Sequence, residues 1–101
     1  MIIIISFFAG LFLANGIPHF INGISGKDFH NPSLHRFFPN IPSPLFNVIW
    51  GLFNFSLAVL LFSLVGNFVL GINYNSLSAA FGFIFASVGL SVYFKNRTKV
   101  Y

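Results

Sequence analysis

The sequence predicts an all-α integral membrane fold with three transmembrane helices, the N-terminus outside and the C-terminus in the cytoplasm. Three observations point there. Charged residues make up only 6% of the chain and hydrophobic ones 56%, whereas an ordinary soluble domain is about 25% charged. Three apolar stretches of spanning length alternate with short polar ones. All five Lys and Arg residues fall on one side of the threading those stretches imply.

A soluble chain of 101 residues would have to cover itself with polar side chains, and five basic and one acidic residue do not suffice. Its 16 Phe would also overfill an aqueous core of that size. Lipid as the solvent removes both difficulties. The length predicts a single transmembrane domain over residues 1–101.

The first span carries no charged side chain from residue 1 to 17. About 16 helical residues reach roughly 24 Å, short of the ~30 Å hydrocarbon layer. Continuing through Phe20 and Ile21 closes the gap and predicts a helix over about 2–22. Pro18 then kinks it, which membrane helices tolerate when neighbours satisfy the freed carbonyl. Ala14-Asn15-Gly16 has the small-x-small form of a signal-peptide cleavage site. No Lys or Arg precedes the apolar run, as a signal n-region requires, so a retained span is expected.

A polar, proline-rich loop over about 25–43 follows and is expected in the cytoplasm. Asn31-Pro32 has the form of an N-cap with proline at the first helical position. It predicts a short turn over 33–38 that lays Leu34, Phe37 and Phe38 on the bilayer surface with Arg36 at the phosphates. An irregular loop is the other reading. Ser43-Pro44 repeats the cap-plus-proline form and opens a second span over about 44–66, with Gly66-Asn67 as its stop. After an uncharged turn at 71–76, the third span runs over about 77–94, capped by Ser76 or Ser78. Lys95, Arg97 and Lys99 close it.

With three spans, the first loop and the C-terminal tail share a side. Lys27, Arg36, Lys95, Arg97 and Lys99 all lie there, and the second loop has no Lys or Arg. The positive-inside rule assigns that side to the cytoplasm. The location expected is a multi-pass position in a bacterial cytoplasmic membrane.

Lipid offers no hydrophobic drive for helices to associate, so small residues that let backbones approach become contact faces. Ser6, Gly10 and Ala14 form one such stripe. Ser78, Gly82, Ala86 and Gly89 form another. The second span places Asn47, Gly51, Asn54 and Ala58 on one face, with Trp50 beside it. The first span places Asn15, His19 and Asn22 on one face at i, i+4 and i+7. An asparagine in hydrocarbon needs a partner. A single hydrogen-bonded cluster of Asn15, His19, Asn22, Asn47 and Asn54 is therefore expected, and its plainest role is to hold helix register. Polar groups at membrane depth also mark functional sites.

The motifs Asn15-Gly16-Ile17-Pro18-His19-Phe20, Asn22-Gly23-Ile24-Ser25-Gly26 and Asn47-x-x-Trp50-Gly51-x-x-Asn54 resemble those of a family of small bacterial multi-pass membrane proteins. The resemblance covers about half the chain, from Asn15 to Asn54. It implies a membrane fold and singles out the same polar residues. It implies no activity, cofactor or substrate.

Several classes fall away. Without cysteine there is no disulfide, thiolate metal site or cysteine nucleophile. The net charge of +4 comes with no long basic run, so nucleic acid is not an expected partner. Asp28 is the one carboxylate side chain, which excludes paired-carboxylate catalysis within a monomer. No nucleophile elbow is present, and Gly16, Gly23 and Gly26 match no nucleotide fingerprint.

The reading is a non-enzymatic protein without a cofactor. Its expected partners are the bilayer and other transmembrane helices, and it acts by helix–helix association as an accessory subunit or homo-oligomer. The alternative is an oligomeric transporter or channel with an Asn/His-lined path, in which His19 and Asp28 handle protons. Against it, no charged side chain lies within a span. A third reading is a metal or haem protein ligated by His19, His30 and His35, which lack helical ligand spacing. Topology has a direct test. A reporter fused after Tyr101 should read out the cytoplasm, and one inserted at Asn75 the opposite side; the reverse pattern would overturn the charge argument.

Overall fold

The computed structural model describes residues 1–29, 32–66 and 68–95. Their order is α1 (Ile2–Ile24), a 3₁₀ turn (Ser33–Phe37), α2 (Ser43–Val65) and α3 (Tyr74–Phe94). No strand occurs among the described residues. All three α-helices are long and apolar enough to cross a membrane. At 23, 23 and 21 residues they measure about 34, 34 and 31 Å, which matches a ~30 Å hydrocarbon layer.

The helices form a layer with α1 in the middle. It packs against both α2 and α3, which make no comparable contact with each other. Asn15 and His19 of α1 meet Asn54 and Asn47 of α2, so that pair is antiparallel. Ile3 meets Ser78 and Phe7 meets Gly82, so α1 and α3 run parallel.

Glycine sets the spacing on both sides of α1. A Cβ on Gly82 would drive into the carbonyl of Phe7, and one on Gly10 into the carbonyl of Ala79. Towards α2, a Cβ on Gly16 would lie 2.9 Å from the Gly51 carbonyl oxygen, and one on Gly23 would lie 2.7 Å from that of Pro44. Ser6, Ala9, Gly10 and Ala14 are buried on α1, as are Ala79 and Gly82 on α3. Ser78 donates its hydroxyl hydrogen to the Ile3 carbonyl at 2.6 Å. Ala86 is half-buried. Gly89 departs from the expected stripe: nothing lies within 4 Å of a Cβ built on it. It falls seven residues after Gly82, on the same nominal face, but no atom of α1 comes within 4 Å of that Cβ position.

The ends of the helices differ from the expected caps. α1 runs through Pro18 and stops at a Schellman turn. The Lys27 N–H donates to the Asn22 carbonyl and the Gly26 N–H to the Gly23 carbonyl, each at 3.0 Å, and Gly26 takes the left-handed φ of 70°. At α2 the cap residue is Pro42, which makes no side-chain cap bond, and Ser43 already lies in the helix. Gly66, at φ 81°, follows the last residue of α2. The α3 cap is Asn73, not Ser76 or Ser78. Its Oδ1 accepts from the Ser76 N–H at 2.9 Å. Ser76 instead donates through Oγ to the Val69 carbonyl at 2.9 Å and ties down the preceding turn. The expected cap Asn31 and stop residue Asn67, like His30, Arg97 and Lys99, lie outside the described residues.

The 3₁₀ turn leaves Phe37 exposed, with the Arg36 guanidinium 4.8 Å from the centre of its ring. Leu34 and Phe38 also face α2, where they line an apolar cavity of about 540 Å³ with Phe46, Ile49, Trp50 and Phe53. His35 Nε2 meets the Ile41 carbonyl at 2.8 Å, and its ring lies 4.7 Å from that of Phe46.

The glycine contacts predict an asymmetry on α3. Gly82→Leu should lower stability in detergent by about 1–3 kcal/mol, the usual consequence of overpacking. Gly89→Leu should stay within about 0.5 kcal/mol of the parent. Reversible unfolding in mixed micelles, followed by circular dichroism, checks both.

Candidate functional site

Two polar pairs cross the α1–α2 interface. Asn15 Nδ2 donates to Asn54 Oδ1 at 2.9 Å. One turn along, His19 Nδ1 meets Asn47 Oδ1 at 2.6 Å. Asn47 is fully buried, Asn54 is 2% exposed and His19 6%. Helical spacing delivers the alignment: Asn47, Gly51, Asn54 and Ala58 all lie buried on one face of α2. Gly51 and Gly16 bring the backbones close enough for short amide side chains to meet.

Each α2 amide is also anchored to its own helix. Asn47 Nδ2 donates to the Ser43 carbonyl at 3.0 Å, and Asn54 Nδ2 to the Trp50 carbonyl at 2.9 Å. These bonds fix which end of each amide faces α1. With its NH₂ group on Ser43, Asn47 presents Oδ1 to the imidazole. The hydrogen in the short His19–Asn47 contact must then sit on His19 Nδ1, so the network assigns the tautomer.

Asn22 is not part of this seam. Its Nδ2 donates to the Pro18 carbonyl at 2.8 Å, within its own helix. At that level of α2 the nearest amide, Asn47, is already engaged by His19 and Ser43. The five-residue cluster is therefore two separate pairs, with Asn22 outside both.

Trp50 sits at the edge of the seam. Its ring stacks on Phe46 at 6.4 Å between centroids and meets Phe53 at 5.5 Å. It also forms one wall of a cleft of about 490 Å³ between α2 and α3. Asn15 and His19 are on the floor of the cleft. Leu90, Tyr93 and Phe94 of α3 form the opposite wall, and Pro32, Ser33 and Leu34 lie at its mouth. Phe29 joins the two sides, with its ring 5.3 Å from that of His19 and 4.9 Å from that of Phe94.

Gly16 and Gly23 were missing from the expected contact faces. The signal was present in the repeated Asn-Gly-Ile triplet, whose glycines fall seven residues apart and face α2 together. The α3 wall of the cleft left no comparable signal, because Leu90, Tyr93 and Phe94 look like ordinary lipid-facing residues. Among the described residues, no three His, Cys, Asp or Glu side chains converge as metal ligands would.

No family model matches the chain, and no curated protein or solved structure does. The resemblance carried by residues 15–54 therefore stands on its motifs alone.

The seam predicts strong coupling between its members. His19→Leu removes the buried donor that meets Asn47 Oδ1 and should destabilise by about 1–3 kcal/mol. Removing the second polar group, in His19→Leu/Asn47→Leu, should recover part of that loss. A double-mutant cycle on unfolding free energies in mixed micelles measures the coupling; additive effects would contradict it.

Proposed function

We propose that this chain is a non-enzymatic protein of a bacterial cytoplasmic membrane, working by helix–helix association as an accessory subunit or a homo-oligomer. The observation that carries this reading is the burial of Asn47 and Asn54. Their amides are committed to His19, to Asn15 and to their own backbone, between α1 and α2. Polar groups used in this way hold two helices in register.

The outer faces of the layer supply contact surface. On α3, Phe85, Val88 and Val92 are exposed around Gly89, which has open space before it. α1 contacts both other helices, so α2 and α3 offer the larger free faces to further helices. The orientation we infer has the N-terminus outside and the C-terminus in the cytoplasm. Its support is charge: Lys27 follows α1 and Lys95 follows α3, and the parallel packing of those helices brings both to one end. That end would face the anionic inner leaflet.

The chain has no native cysteine, which makes cross-linking clean. Phe85→Cys, Gly89→Cys and Val92→Cys, each oxidised in native membranes, should yield cross-linked dimers or adducts with a co-purifying membrane protein. Ala79→Cys, buried against α1, should yield none. A chain that stays monomeric and captures no partner would end this reading. Flux in proteoliposomes, lost in a folded Asn15→Leu or His19→Leu variant, would instead favour the transporter alternative.

A further inference from the structure

We propose that the cleft between α2 and α3 binds an uncharged lipid through a hydroxyl head group. The inference does not depend on how the chain associates with other helices. Asn15 precedes Ile24, the last residue of α1, by nine positions (24 − 15), and His19 by five (24 − 19). At 1.5 Å per residue they lie about 13 and 8 Å along the axis from that end. The cleft floor is thus inside the hydrocarbon half-layer, where water is a poor partner for polar atoms.

Polar groups on the cleft lining nevertheless remain unmet. Asn15 is half-exposed. One of its two Nδ2 hydrogens goes to Asn54; its Oδ1 takes no hydrogen bond from any described residue. The indole N–H of Trp50, on the facing wall, likewise has no acceptor among the described residues. The floor offers an acceptor and a spare donor, and the wall offers a second donor.

Those atoms select the head group. A hydroxyl both donates, to Asn15 Oδ1, and accepts, from an N–H. A carboxylate or phosphate monoanion would bring its charge to a lining without Lys or Arg among the described residues. A hydrocarbon chain would meet none of the polar atoms. The walls suit the rest of such a molecule, since Trp50, Leu90 and Phe94 offer apolar and aromatic surface. A volume of about 490 Å³ lies within the ~300–1,000 Å³ range of small-molecule sites. Two lipid sources share this chemistry, a diacylglycerol and an isoprenoid alcohol.

Trp50 is the only tryptophan of the chain and reports on the cleft without a label. Purified protein in nanodiscs would be titrated with 1,2-dioctanoylglycerol, farnesol, dodecane and dodecanoate while Trp50 emission is followed. The expected result is a saturable change with one or both hydroxyl probes, at least about tenfold tighter than with dodecane or dodecanoate, as expected for one or two extra hydrogen bonds. Response to the glyceride alone, or to the isoprenoid alone, supports the proposal and names the source. Leu90→Phe, which narrows the cleft and leaves both polar pairs intact, should weaken the response about tenfold. Asn15→Leu should abolish the preference for a hydroxyl; if it fails to fold by circular dichroism, Leu90→Phe decides. Equal responses to dodecane and farnesol, no saturable response, or unchanged binding to Leu90→Phe would overturn the proposal.

Discussion

The structure depends on how closely the backbone of α1 approaches its two neighbours. In a bilayer the tails solvate Leu and Phe as well as another helix does, so burial alone gives helices no reason to meet. What remains is dispersion between surfaces that fit and polar bonds that find no better partner. Glycine provides the fit on each side, Gly10 and Gly82 between α1 and α3, and Gly16, Gly23 and Gly51 between α1 and α2. Towards α3 these contacts are backbone against backbone; towards α2 the side chains of Phe55, Val48 and Phe20 share them. A single added methyl at Gly10 or Gly82 overlaps a carbonyl that has no room to retreat, because that carbonyl belongs to the facing helix's own ladder.

Close approach then determines what the polar residues do. An asparagine side chain is short. It spans an interface only where the axes are near, and Asn15 adjoins Gly16 while Asn54 lies three residues from Gly51. The bonds of Asn47 to Ser43 and of Asn54 to Trp50 hold each amide in one orientation before α1 arrives. Two pre-oriented acceptors facing two donors define one axial register. Sliding α1 by a turn would keep at most one pair, His19 opposite Asn54 or Asn15 opposite Asn47, and leave the other α2 amide facing an apolar position, where an unpaired amide is costly. Dispersion between glycine faces has no such sharp dependence on register. The two kinds of contact are therefore complementary: glycine sets distance, and amides set position along the axis.

Helix number and approximate length were legible from composition and the placement of charge, because a bilayer demands long uncharged runs and each run is unmistakable at 6% charged residues. The face holding Asn47, Gly51, Asn54 and Ala58 followed from helical periodicity alone. Helix ends were harder to read, because local chemistry offered several candidates. Asn73, Ser76 and Ser78 are all competent caps, and only the path of the preceding turn selects Asn73. Asn22 shows a different limit. Periodicity puts it with Asn15 and His19, but membership of a seam requires an unengaged partner on the facing helix, and single-helix periodicity carries no information about that helix. The parallel packing of α3 on the far side of α1 was likewise invisible, since it depends on which stripe of α1 each neighbour takes.

The cleft follows from the same arrangement. α2 and α3 occupy roughly opposite sides of α1: the glycines facing α2 are Gly16 and Gly23, and those engaging α3 lie near Phe7 and Gly10. Three helices placed in line cannot close over the middle one, as a triangular bundle would. A flank of α1 therefore stays uncovered along the layer. Over most of its length lipid tails can fill that flank without penalty, because the side chains there are apolar. At Asn15 they cannot, because the amide lies at the border of the α2 contact, close enough to reach Asn54 and far enough off the interface to keep its carbonyl oxygen outside it. Turning Asn15 fully into the seam would require α2 to roll towards α3. That roll is opposed by the contacts of Gly23 with Pro44 and Val48, and of Gly51 with Phe20. The contacts that make α1 the centre of the layer thus also hold one polar group of the seam open to the lipid side.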